Sequence, residues 1–192
     1  MLKLGIEQHR IFSHWNYFIS IEEDISKLSR WIEPSEKNFD CYSLEIARLL
    51  MTTSAEVDVL AKLICKKINH KSKAEGILQY QKELVSEFPN IYRAKVIAPR
   101  FGLELTPWHN WQVEKSPPIW WQANNKVKHQ RSEHFNKATL KNLLNSVAAL
   151  LLLQILYYQS EINELHPKTQ LFIPKSFCVT VGDHIRYMPK SC

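Results

Sequence analysis

Pro117-Pro118-Ile119-Trp120-Trp121-Gln122-Ala123-Asn124-Asn125-Lys126-Val127-Lys128-His129-Gln130-Arg131 is the stretch on which the reading of this chain turns. Pro118 suits the first turn of a helix, where its missing N–H costs nothing. Trp120 and Trp121 then read as core anchors that pin the helix start. Beyond them, residues three and four apart share a face, so Gln122, Asn125, Lys126 and His129 fall together, with Asn124, Lys128 and Arg131 as a neighbouring strip. One histidine is framed by amides and cations. Imidazole titrates near neutrality and serves as general acid or base, while Lys and Arg stabilise charge developing on a phosphate. These are the minimum parts for metal-independent RNA cleavage. A histidine in a basic amphipathic helix is also, more simply, a surface or structural group.

Outward from this stretch the pattern is helical. Apolar residues from Ser13 to Ile32 recur at Trp15, Phe18, Ile21, Ile25, Leu28 and Ile32, the spacing of an amphipathic helix that ends near Pro34. A long helix is predicted from Tyr42 to Ile68. In it Glu56 either faces solvent or orients a cationic group on a neighbouring helix. Ser72-Lys73-Ala74-Glu75 matches a capping box and predicts a third helix from Lys73 to Phe88. Val96-Ile97-Ala98 and Leu103-Glu104-Leu105 read as one weak hairpin, followed by Trp108, His109 and Trp111 as an aromatic cover over the end of the core. After the central helix, Asn136 is the expected N-cap of a helix from Lys137 to Ile162, apolar nearly all round from Leu143 to Tyr157 and therefore buried in a bundle or at a subunit interface. Period-two residues Leu171, Ile173, Phe177, Val179, Val181, Ile185 and Tyr187 predict a small β-appendage with a hairpin at Gly182-Asp183.

Composition bounds the rest. The chain has 192 residues, enough for one domain with its own core. Its four cysteines form no C-x-x-C pair, which argues against a disulfide framework or a zinc knuckle and fits a reducing cytoplasm. Residues 1–10 lack an apolar signal core, and the run Val147 to Tyr158, broken by Gln154, reads as too short to span a bilayer. No membrane association and no metal or cofactor is expected. The net charge of +6 is uneven: the first 58 residues hold six Lys/Arg against ten Asp/Glu, leaving 19 cations against nine anions in the remainder. Between Lys115 and Lys141 six cations face the single anion Glu133. A basic face of this kind favours phosphate-rich partners. There is no H-E-x-x-H, G-x-S-x-G or phosphate-cradling Gly-rich loop.

Asn124-Asn125-Lys126-Val127-Lys128-His129, late in a helical chain and ahead of a long apolar helix, resembles the motif of the HEPN (higher eukaryotes and prokaryotes nucleotide-binding) superfamily. Trp120-Trp121 leading into Asn125-Lys126-Val127-Lys128-His129-Gln130-Arg131, with Phe135 and Ala138 beyond, looks like a bacterial HEPN-like group with an N-x-x-K-H-x-R signature. The resemblance covers Trp15 to Ile162. It implies a mainly α fold, a HEPN-like bundle of four to five helices over residues 1–165, with residues 166–192 as a C-terminal β-hairpin appendage. It also implies a homodimer and an RNA partner, with metal-independent endoribonuclease activity of a toxin or antiviral defence type as the catalytic form. His129 then matches the motif histidine and Asn125 its polar residue. Asn124 stands where the family carries arginine, a full charge that an amide does not supply. In that reading the catalytic set is His129, Asn124 and Asn125, the RNA contacts are Lys126, Lys128 and Arg131, and Glu56 is supporting. The alternative is a non-catalytic helical interaction module, an antitoxin or defence-complex subunit that meets a protein partner.

Overall fold

The computed structural model describes residues 11–176, 178–181 and 184–187. The lead-in over residues 1–10, Phe177 and the Gly182-Asp183 turn lie outside the described residues. The chain is mostly helical with a small antiparallel sheet. The helices are α1 (Ser13–Leu28), α2 (Leu44–Ile68), α3 (Ile77–Glu87), α4 (Ile119–His129), the single turn α5 (Arg131–His134) and α6 (Leu140–Tyr158). The strands are β1 (Val96–Ala98), β2 (Leu103–Leu105), β3 (Ile173–Pro174), β4 (Cys178–Val181) and β5 (His184–Tyr187).

α2 and α6 form the spine. Tyr42 and Thr139 make a β-bridge just before the two helices begin, and the Leu140 amide donates to the Cys41 carbonyl at 2.8 Å. At the far end Lys67 donates to the Tyr157 carbonyl at 2.7 Å. The two helices therefore run parallel. α1 lies antiparallel to α2, with Asp24 bonded to Arg48 at one end and His14 to Glu56 nearer the other. α6 is buried on nearly every side, as its all-round apolar pattern requires. Over its full length, Leu140–Tyr158, it is long and apolar enough to cross a bilayer by length and composition only, and 78% of its apolar window is buried inside the protein.

Of three helix starts, that of α2 agrees with the pattern and those of α6 and α3 are set by residues other than the ones it suggested. α2 begins at Ser43, whose hydroxyl accepts the Ile46 amide at 3.1 Å. α6 begins at Thr139, whose hydroxyl accepts from Asn142, whereas the expected cap Asn136 lies inside a 3₁₀ turn spanning Phe135–Lys137. The capping box at Ser72 does not form. Ser72 accepts from Ala74 and donates to Glu83, and Gly76, at φ +95°, turns the chain into α3 one residue before Ile77. That φ lies in a region open to glycine and strained for other residues.

The hairpin of β1 and β2 is present, with Val96 opposite Leu105 and Ala98 opposite Leu103. β3 adds to the other edge of β1, so Ile173 pairs with Ile97 across the sheet, while Leu171 and Phe172 enter the main core. What seats this segment is a buried carboxylate. Glu22 of α1 accepts the backbone N–H groups of Gln170, Leu171 and Phe172 at 2.9, 2.9 and 3.1 Å. β4 and β5 pair antiparallel from Cys178↔Tyr187 to Val181↔His184.

Four tryptophans close the end of the core where α4 begins. Trp108 lies 4.1 Å from Trp111 and 5.5 Å from Trp120 between ring centroids, and Trp120 meets Trp121 edge-on at 5.8 Å. The Trp120 indole donates to the Pro107 carbonyl at 2.9 Å, which ties α4 to the loop after β2. Trp120→Ala is expected to cost about 3–5 kcal/mol, read as a lower urea midpoint with unchanged slope. A second expectation concerns pH. Burial pushes the Glu22 carboxyl above its ordinary value of 4.5, against the opposing pull of the three N–H groups. The unfolded chain therefore loses this proton first, so stability falls as pH rises from the ordinary value through the folded one. Glu22→Gln should remove that slope, and at low pH, where no carboxylate desolvation is relieved, should lower stability because its amide N–H₂ cannot accept from Gln170; urea midpoints measured across pH 4 to 7 check both.

Candidate functional site

α4 is a two-sided helix. Trp120, Trp121, Ala123, Asn124 and Val127 are buried, while Gln122, Asn125, Lys126, Lys128 and His129 are exposed. The two sides follow from periodicity: Trp120, Asn124 and Val127 are four and three residues apart and share one stripe. Val127 packs with Ala47 and Leu50 of α2 and with Ala138, so the last turn of α4 rests on the first half of α2. Pro118 sits at the N-cap, one position before the first helical residue, and the Gln122 side chain donates to the Pro117 carbonyl at 2.9 Å.

This arrangement divides the residues that the sequence pointed to. His129 ends α4 with its ring exposed and without a hydrogen-bond partner among the described residues. Asn125, one turn earlier on the same face, is exposed, and so are Lys126 and Lys128. None of these cations pairs with a carboxylate among the described residues. Their position in the last turn also suits the partial negative charge of a helix C-terminus. The chain breaks at Gln130, at φ −139° and ψ 49°, so Arg131 does not continue the α4 strip. Its guanidinium lies 5.2 Å from the Phe135 ring centroid, and Phe135 meets Tyr42 edge-on at 5.6 Å.

Asn124 is placed differently. It is only 7% exposed and turns away from the face that carries His129. Its Nδ2 reaches Asn125 Oδ1 at 3.5 Å, and its own Oδ1 is buried with no hydrogen-bond partner. Glu56 is also apart from the α4 set: its Oε1 is 2.6 Å from His14 Nδ1 on α1, and the His14 ring meets Tyr157 edge-on at 5.5 Å. The His14–Glu56 pair spans 42 residues of sequence, and no spacing rule on one helix points to it. His134, the second histidine in the neighbourhood, ends α5 half-buried. Among the described residues no group of three or more His, Cys, Asp or Glu is gathered to hold a metal ion. The groups on offer at α4 are imidazole, amide and cation.

A buried carbonyl oxygen without a donor costs about 1–3 kcal/mol. Asn124→Leu, which removes the orphan while keeping the branched shape, is expected to raise stability by about 1 kcal/mol, measured as a higher denaturation midpoint. A lower midpoint would mean that Asn124 Oδ1 meets a donor in solution. No family model matches this chain, and no curated protein or solved structure matches it.

Proposed function

We propose that this chain is a cytoplasmic HEPN-like RNA-binding protein that works as a homodimer and carries metal-independent endoribonuclease chemistry at α4. The observation that supports this most is the exposed end of α4. There, Lys126 and Lys128 are free of carboxylates among the described residues and flank the open ring of His129, while Asn125 shares its face. In a cleavage step His129 takes the ribose 2′-hydroxyl proton as the 2′-oxygen forms a bond to phosphorus, or gives a proton to the departing 5′-oxygen as the old P–O bond breaks. The products are a 2′,3′-cyclic phosphate and a free 5′-hydroxyl. Lys126, Lys128 and Arg131 offset the charge that builds on the phosphate oxygens.

Asn124 takes no part in that step in this reading, because its side chain points into the protein. The cation that the family's arginine would supply is left to Lys128, four residues later in the chain, or to Arg131. His129 has no orienting partner among the described residues, so the second half of the acid–base pair is drawn from the facing copy in the dimer. The inward turn of Asn124 equally favours the second reading, a non-catalytic module whose basic helix meets RNA or an acidic protein without cutting.

Three measurements separate these readings. RNA affinity should fall steeply with salt, and the Lys126→Ala/Lys128→Ala/Arg131→Ala variant should lose at least tenfold while its salt slope flattens. His129→Ala should abolish cleavage with helicity and RNA affinity unchanged, and EDTA should have no effect. If wild type and His129→Ala leave RNA equally intact, the enzymatic reading fails and the binding reading remains. If sedimentation at micromolar concentration finds only monomer, the shared dimer site fails.

A further inference from the structure

We propose that a second nucleic-acid surface adjoins α4: a single-stranded RNA track made of two clefts that meet at Thr106 and His109. It rests on the RNA-binding reading of α4 and extends it to nucleotides that the motif itself does not touch.

The first cleft, about 640 Å³, opens between the start of α4 and the start of α6. The second, also about 640 Å³, lies on the far side of His109 toward Tyr92 and Arg93. Each is of the size that holds a small organic ligand such as one nucleotide. Thr106 and His109 line both, so the two clefts adjoin and one strand passing over these two residues can reach both. A lone phosphate or mononucleotide would occupy only one of them.

The chemistry of the walls favours an anionic chain with readable bases. Lys137 and Lys141 line the first cleft and Arg93 the second, and none of them has a carboxylate partner among the described residues. Asp40 is the one acid in the first cleft. In the second, Lys95 is already held by Glu104 at 2.6 Å, so Arg93 is its available cation. Amides supply the base-reading element. Asn142 and Asn145 spend their Nδ2 groups on the Lys137 and Lys141 carbonyls, each at 2.9 Å. Their Oδ1 atoms are left unengaged among the described residues. Asn110 and Asn136 also line this cleft, and neither side-chain amide is engaged among the described residues. Free amide donors and acceptors match the edges of unstacked bases, which a single strand offers and a duplex hides. Tyr42, 52% exposed, gives the first cleft an aromatic ring on which a base can stack, while in the second the half-buried Tyr92 ring carries the Arg93 guanidinium 5.3 Å from its centroid.

The track joins the motif and is preformed. Tyr42 lines the first cleft and touches Phe135, which in turn lies under Arg131. A strand engaged at Arg131 is thereby delivered to Tyr42. The walls are held by the Tyr42↔Thr139 bridge and by the Trp120 indole on the Pro107 carbonyl, so no ordering of these segments is needed for binding.

The test uses the full chain and a fluorescently labelled 12-nucleotide single-stranded RNA of mixed sequence containing 4-thiouridine. Lys137→Gln/Lys141→Gln, with unchanged helicity by circular dichroism, should weaken binding at least tenfold and flatten the salt slope by about 1.4, the value for two single-strand phosphate contacts. Photo-crosslinks should map to the peptides holding Tyr42 and His109 and should decline in Tyr42→Leu. If this double variant binds as wild type does while the Lys126→Ala/Lys128→Ala/Arg131→Ala variant loses affinity, the track is overturned and RNA binding at α4 stands. Crosslinks that fall only on α4 peptides would overturn the track in the same way. If wild type itself does not bind the RNA, both readings fall.

Discussion

The parallel pairing of α2 and α6 is the constraint on which the rest of the molecule depends. Helices that run the same way cannot be joined by a short turn, so the chain between Ile68 and Leu140 must travel back along the bundle. That return path carries α3, the hairpin, the tryptophan cluster and α4. The bridge between Tyr42 and Thr139 fixes where both helices start, and through Ala138 and Leu50 it fixes where Val127 can sit. The direction in which α4 presents its cations is thus a result of how two apolar helices close one end of the core.

Much of this is visible in the residues themselves. α1, α2 and α6 have apolar stripes long enough that burial and helical period demand the same answer, and their positions agree with the patterns to within a few residues. Helix starts are less legible, because a capping pattern is only a local offer. Ser72 has the right neighbours for a cap, but Glu83 and the turn at Gly76 use it otherwise. The partnership of β3 with β1 has no local signal, since a two-residue strand ending in proline carries almost no periodicity and its partner lies far away in sequence. The same holds for Glu56 and His14, which meet only because α1 and α2 pack antiparallel.

For the candidate site, the exposed set of Asn125, Lys126, Lys128 and His129 follows directly from helical spacing. The chemistry of Asn124 points outward to a site although its phase points inward: it lies on the stripe of Trp120 and Val127, and that stripe is the buried one. An amide on an apolar stripe, with its oxygen unanswered, is a local conflict between pattern and chemistry. Conflicts of that kind gather where function competes with stability. Sequence alone could not supply the cleft at the start of α6, whose walls come from four separate segments.

The seating of residues 170–172 by Glu22 has a different sort of consequence. The carboxylate grips three main-chain N–H groups and no side chain of Gln170. A grip on the backbone is blind to side-chain identity, so an outward-facing position such as 170 can change its side chain without loosening the attachment, provided the replacement is not proline. Position 22 shares the specificity of this join with Leu171 and Phe172, which enter the main core, and with the pairing of β3 on β1. An exposed position at the start of this segment is thus free to diversify while the carboxylate on the first helix continues to hold its backbone in register.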